Sequence, residues 1–169
     1  NDGVKQVLNT VLCPRAVYPL TFMSIGVDEV DALQNQVTKF WRNRCHVAET
    51  APKRVFDFNT EMIRWSSEML VRQTLLWLRA MNDPETGIKQ VMELSADRWR
   101  RWVGTAGDPF RIDLVREAGD DHTWLGNLLT QMAAVDMEIE GGVGMSPPVP
   151  GDVNIVDDYT GRNRREIIH

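Results

Sequence analysis

The sequence predicts an all-α protein: five or six helices in an orthogonal or bundle-like domain, followed by an extended, mostly irregular C-terminal arm. Apolar residues recur at steps of three and four along most of the first 140 residues, the spacing of one helical face. Capping residues, prolines and glycines punctuate these runs where helices begin and end. From Gly141 the chain turns to Gly141, Gly142, Gly144, Pro147, Pro148, Pro150 and Gly151, a run that no helix tolerates. The expected division is a helical domain over 1–140 and an arm or linker over 141–169.

The first helix is expected to be capped by Asp2, to carry Val4, Val7, Leu8 and Val11, and to stop near Pro14. Pro14, Pro19 and Gly26 make 14–26 read as an irregular connection. A second helix is expected from about Asp28 to Arg44, with Val30, Leu33, Val37 and Phe40 forming its seam. Pro52 marks a loop over 46–56. The third helix is expected from near Asp57 or Asn59 to about Met81. Its apolar residues, from Met62 and Trp65 to Trp77 and Leu78, cover most of its circumference, as in the central element of a bundle.

Asp83-Pro84 and Asp108-Pro109 each place a capping carboxylate before a proline at the first helical position. They predict a fourth helix from Pro84 to Val103, ending at Gly104, and a fifth from Pro109 to Ala118, ending at Gly119. A sixth is expected after Asp120 or Asp121, with a seam of Leu125, Leu128, Met132, Val135 and Ile139. Beyond it, Val153–Val156 reads as one short strand and Tyr159-Thr160-Gly161 as a turn. There is no internal repeat.

The net charge of −5 disfavours wholesale attraction to nucleic acid or an anionic membrane. No stretch of about 18 apolar residues offers a membrane span. Cys13 and Cys45 form no CxxC pair and suggest no disulfide framework, so a reduced compartment is expected. The chain begins at Asn1 and shows no signal-peptide pattern, as expected of a processed chain or part of a longer polypeptide.

Candidate sites are few. Arg98-Trp99-Arg100-Arg101-Trp102 has the composition of a nucleic-acid patch, because Arg pairs phosphates and Trp stacks bases. Helical geometry places Ile88, Met92, Ser95, Trp99 and Trp102 on one stripe, however, so both indoles are expected on a packing or protein-contact face. Asp120, Asp121 and His122, with Glu117 nearby, have metal-binding chemistry, yet an acidic pair at a helix start also answers the need for capping. Cys45-His46 lacks a second ligand pair. Three histidines and no GxSxG or phosphate loop leave nucleophilic catalysis without a signature. Pro147-Pro148-Val149-Pro150 is a short polyproline candidate.

One resemblance bears on function. Pro52, then Asn59-Thr60-Glu61-Met62 and Glu68-Met69-Leu70, are similar to the entry into a helix in the base domain of the middle-layer capsid protein of orbivirus-type reoviruses. Arg116-Glu117-Ala118-Gly119 followed by Thr123-Trp124-Leu125-Gly126 resembles that family's short helix and its step into an upper domain. The resemblance is scattered over residues 1–126. It implies a non-enzymatic, trimer-forming shell protein whose helices contact an underlying layer. It also implies that the chain leaves its helices at Trp124, whereas the periodicity continues a helix to Ile139, and the family's inserted β-sandwich has no counterpart here.

The sequence therefore favours a non-enzymatic assembly protein of the cytoplasm or a virion, without cofactor, metal or membrane partner. Its expected contacts are Arg98, Trp99, Arg101, Trp102, Leu125, Leu128, Met132, Val135, Pro147 and Pro148, residue types that include the Trp, Met and Arg enriched at interfaces. The expected partner is a second copy or a larger protein assembly, with nucleic acid disfavoured. A small enzyme with a carboxylate and His site over 117–122, and a regulatory nucleic-acid binder, are the alternatives.

Overall fold

A proline inside a helix usually ends it, because its ring presses on the carbonyl four residues back and it donates no hydrogen bond. In the computed structural model the first helix continues through two, Pro14 and Pro19. Helix α1 (Asp2–Gln6) passes into a π-helical segment (Val7–Leu12) and then into α2 (Cys13–Leu20). The Cys13 N–H donates to the Leu8 carbonyl, five residues back, so the helix is at its widest just before Pro14. The expected stop near Pro14 is thus corrected, and the irregular connection shrinks from 14–26 to 21–26.

The structure describes residues 2–47, 51–52, 62–82, 87–105, 107–119, 121–140 and 144–146. They are mostly helical, as the apolar spacing predicts. Contacts divide the chain into two units, Asn1–Arg72 and Gln73–His169.

In the first unit, α3 (Val27–Arg44) carries Asp28 and Glu29 in its first turn and Arg42 and Arg44 in its last, matching the helix dipole at both ends. The Gly26 N–H donates to Glu29 at 3.0 Å and so fixes the entry. Helix α4 (Trp65–Asn82) begins in this unit and ends in the second. The core gathers Cys13, Val17 and Leu20 from α2, Val30 from α3, and Trp65 and Met69 from α4. Full burial of apolar side chains of this size contributes roughly 1.5–3 kcal/mol each.

The buried stripe of α3 is Val30, Gln34 and Thr38; Leu33 and Phe40, expected in the seam, are exposed. The polar pair is buried because each member has a task. The Gln34 amide donates to the Ile63 carbonyl at 2.8 Å and accepts the Trp65 N–H at 3.0 Å. Asn9 accepts the Ile63 N–H at 3.1 Å. Asp31 accepts from the Ser66 hydroxyl at 2.8 Å and pairs with Arg64. Side chains thus supply the caps that the start of α4 lacks in its own sequence. This also corrects the expected start near Asp57 or Asn59. Residues 62–64 are not helical, α4 opens at Trp65, and 53–61 lie outside the described residues.

In the second unit, α5 (Gly87–Val103), α6 (Ile112–Ala118) and α7 (Trp124–Ala134) pack against one another, and α7 also packs on β1 (Glu138–Glu140). That strand pairs antiparallel with β2 (Gly144–Ser146), with Ile139 opposite Met145. Trp77 of α4, fully buried, stacks on Trp124 at 6.5 Å between centroids and tilts against Phe110 at 6.1 Å.

Three expectations are corrected here. The Asp108 carboxylate accepts the Phe110 N–H, making a turn instead of a helix cap, and α6 starts three residues beyond Pro109. Its first N–H, on Ile112, is satisfied from afar by Glu138 at 3.0 Å. The sixth expected helix starts at Trp124 and ends at Ala134, with Thr123 as its cap. Val135 is its exposed C-cap, Asp136 adopts φ 58°, and Ile139 is buried from a strand. The seam's final step of four coincided with a helical one by chance. Residues 144–146, expected to be irregular, form the partner strand, while 83–86 and the expected strand at Val153–Val156 lie outside the described residues. Gly104 and Gly119 end α5 and α6 at φ 68°, as expected for glycine.

Cys13 supplies a pH signature of the first core. Burial, then the neighbouring Glu68 carboxylate, raises its thiol from 9.0 to about 11, with Arg72 opposing. The folded state therefore holds this proton more tightly than the unfolded chain. The associated stability is complete below pH 9.0 and is lost as pH rises through about 11. Thermal unfolding across that window should show a smaller loss for Cys13→Ala than for the wild type.

Candidate protein-docking interface

A helix turns by about 100° per residue, so two apolar series can run along it side by side. Helix α5 has two. Met92, Ala96 and Trp99 form the buried series. Ile88, Val91, Leu94 and Trp102 form another, roughly 100° away around the axis, and are 48%, 60%, 67% and 56% exposed.

The expectation that Trp99 and Trp102 share one packing face is therefore corrected. Trp99 is fully buried, and its indole N–H donates to the Pro109 carbonyl at 2.8 Å. Trp102 faces outward, with its N–H 3.4 Å from the Ala118 carbonyl, a long contact. It borders an open cleft of about 470 Å³ that Val103, Leu114, Glu117 and Ala118 also line.

Arginines accompany the exposed series. Arg98, on the same face, lies 3.8 Å from Asp121. Arg101 donates to the Asp97 carbonyl at 3.2 Å, while Arg100 pairs with the Asp97 carboxylate at 2.6 Å. The Arg100–Asp97 pair is exposed on both sides and contributes little to stability, whereas the Asp121 carboxylate beside Arg98 is almost fully buried.

Leu125, Leu128 and Met132, expected to meet a neighbour, are buried inside the second unit. Val135 is exposed at the end of α7, and Pro147 and Pro148 lie outside the described residues. Val91 and Leu94 are the exposed apolar residues of this face that sequence reasoning missed. The signal was present in the steps of three from Ile88, but it overlapped the stronger series through Trp99.

The acidic cluster is used structurally. Asp121, with its side chain almost fully buried, accepts both the N–H and the hydroxyl of Thr123, which in turn caps α7. Asp120 lies outside the described residues, and among those described no group of three acidic, His or Cys side chains has metal-binding geometry. Cys45 caps the end of α3 and His46 follows it at φ 54°. Among the described residues no helix is long and apolar enough to cross a membrane.

The first unit exposes a smaller aromatic group of its own. Tyr18 and Phe22 meet edge to face at 5.4 Å, with Met23 also exposed. Arg15, also exposed, lies one turn before Tyr18 on the same helix.

No protein-family model matches the chain, and no curated protein or solved structure matches it either.

The two tryptophans should separate cleanly in chemical denaturation. Trp99→Phe leaves the buried Pro109 carbonyl without its donor and should cost about 1–3 kcal/mol. Trp102→Ala removes an exposed side chain and should stay within roughly 0.5–1 kcal/mol of the wild type.

Proposed function

We propose that this chain is a non-enzymatic assembly protein whose second unit docks another protein through the exposed face of α5. One observation carries the reading: Ile88, Val91, Leu94 and Trp102 are exposed together on a helix that already buries a separate apolar face. Single exposed apolar residues are ordinary, whereas aligned ones mark contact surfaces. Arg98 and Arg101 favour a partner with carboxylates at its rim. In its most specific form the protein is a subunit of a shell, the role implied by the resemblance at Asn59–Met62 and Thr123–Gly126.

Two features weigh against single-stranded nucleic acid on the same face. Only one indole of the Arg98–Trp102 run is available for stacking, and the chain as a whole is acidic.

Light scattering across a concentration series tests the proposal. The wild type should self-associate or hold a partner, and Leu94→Glu should weaken that complex about tenfold or more. Its melting temperature should hardly move, because Leu94 is exposed. A wild-type chain that stays monomeric at high concentration and retains no partner removes the reading.

A further inference from the structure

The indole of Trp102 lines one side of the open cleft of about 470 Å³, and α6 supplies the other. Leu114, Glu117 and Ala118 stand at i, i+3 and i+4, so one face of α6 presents them together. That face is held from behind, because Val115 is buried and the Ile112 N–H is bonded to Glu138 at 3.0 Å. Trp102 is placed in turn by Trp99, whose burial sets the rotation of α5.

We infer that this cleft binds an alkylammonium group. The cation lies over the Trp102 ring and beside the Glu117 carboxylate, with its carbon part against Leu114 and Val103.

Electrostatics is the first support. Glu117 is the single charged side chain among the described residues that line the cleft. It is exposed and forms no ion pair among the described residues. Helices α5 and α6 both end here, and the last carbonyls of a helix lack intrahelical partners and carry the negative end of its dipole. The carboxylate and the helix ends favour a cation and repel an anion. Arg98, one turn before Trp102, is drawn to the buried Asp121 carboxylate at 3.8 Å. No guanidinium of the described residues lies over the Trp102 ring, whereas Arg44 covers Phe40 in the first unit at 5.9 Å.

The chemistry of the walls is the second support. Indole is the strongest aromatic partner for a cation. One carboxylate beside carbon-lined walls suits a cation that carries carbon of its own. A calcium or magnesium ion takes about six or more oxygen ligands, which this lining does not offer. A neutral apolar guest would make no use of Glu117. The volume falls within the roughly 300–1,000 Å³ of small-ligand sites. Because the cleft is open to water, binding is weak, with a Kd on the order of millimolar.

The same chemistry is offered by a free alkylamine and by a lysine side chain of a docked protein. A free amine needs no partner, so the inference does not depend on the docking reading of α5.

The test follows the indole N–H signals of the full chain by nitrogen–proton correlation NMR, at constant ionic strength and at a concentration where light scattering shows a monomer. Trp102→Leu identifies the Trp102 signal by its loss. Tetramethylammonium should shift that signal and saturate at about 1–10 mM, while the signal of Trp99, sealed in the core, stays still. tert-Butanol, neutral and of similar size, should shift neither. Glu117→Gln should weaken the binding about fivefold. Nα-acetyl-lysine amide separates the two sources. Tighter binding than tetramethylammonium assigns the cleft to a lysine of a docked protein, and weaker binding assigns it to a free quaternary amine. A Trp102 signal with no saturation by about 50 mM overturns the inference. So does an equal response to tert-butanol, or an affinity unchanged in Glu117→Gln.

Discussion

The rotation of α5 about its own axis is the constraint on which the exposed apolar face depends. Trp99 sets it. A fully buried indole must bury its N–H as well, and the donor is satisfied only by the Pro109 carbonyl at 2.8 Å. With Trp99 held there, Met92 and Ala96 turn inward with it, and Ile88, Val91, Leu94 and Trp102 have no direction left but outward. Pro109 is suited to this role. It lacks an N–H of its own, and the turn closed by Asp108 and Phe110 presents its carbonyl to α5. One hydrogen bond between a loop and a helix thereby decides which of two apolar series becomes core and which becomes surface.

The first unit follows a different economy, in which polar side chains shape the backbone. Gln34, Asp31 and Asn9 together account for the N–H groups of Ile63 and Trp65, the Ile63 carbonyl and the Ser66 hydroxyl. These residues come from α3 and from the π-helical segment, far away in sequence. No local pattern around residue 65 announces a helix start, because the capping groups are delivered by tertiary structure. Helix α6 shows the same device, with Glu138 serving Ile112 from 26 residues away.

What was legible in the sequence follows from this division. Helix α3, the C-terminal ends of α5 and α6, and the apolar spacing of Leu125, Leu128 and Met132 could all be read, because each rests on local periodicity or on a glycine at positive φ, but that this seam is covered within its own unit could not. The passage through Pro14 could not, since a π turn has no compositional mark. Nor could the exit from α7, where Ile139 lands on a helical step while belonging to a strand. On α5, the residue types were legible and their faces were not. Arg98, Trp99 and Trp102 all stood out, but periodicity alone could not choose between two apolar series sharing one helix. Tertiary hydrogen bonding chose. The buried polar stripe of α3 was hidden for a related reason, because Gln34 and Thr38 look like surface residues until their partners are known.

The π-helical segment has a consequence for how the N-terminal helix tolerates change in length. A π turn holds one residue more than an α turn across the same rise, so its excision would ordinarily let the helix relax to regular form. Here relaxation would bring the Pro14 ring against the Thr10 carbonyl and would swing Val7–Leu12 by about one residue's arc relative to Cys13 and Val17. Leu8 and Asn9 could not then both keep their present neighbours, the one buried and the other bonded to Ile63. The helix is thus indifferent to many substitutions on its outer side yet intolerant of a single codon's deletion, a rigidity of register and not of composition.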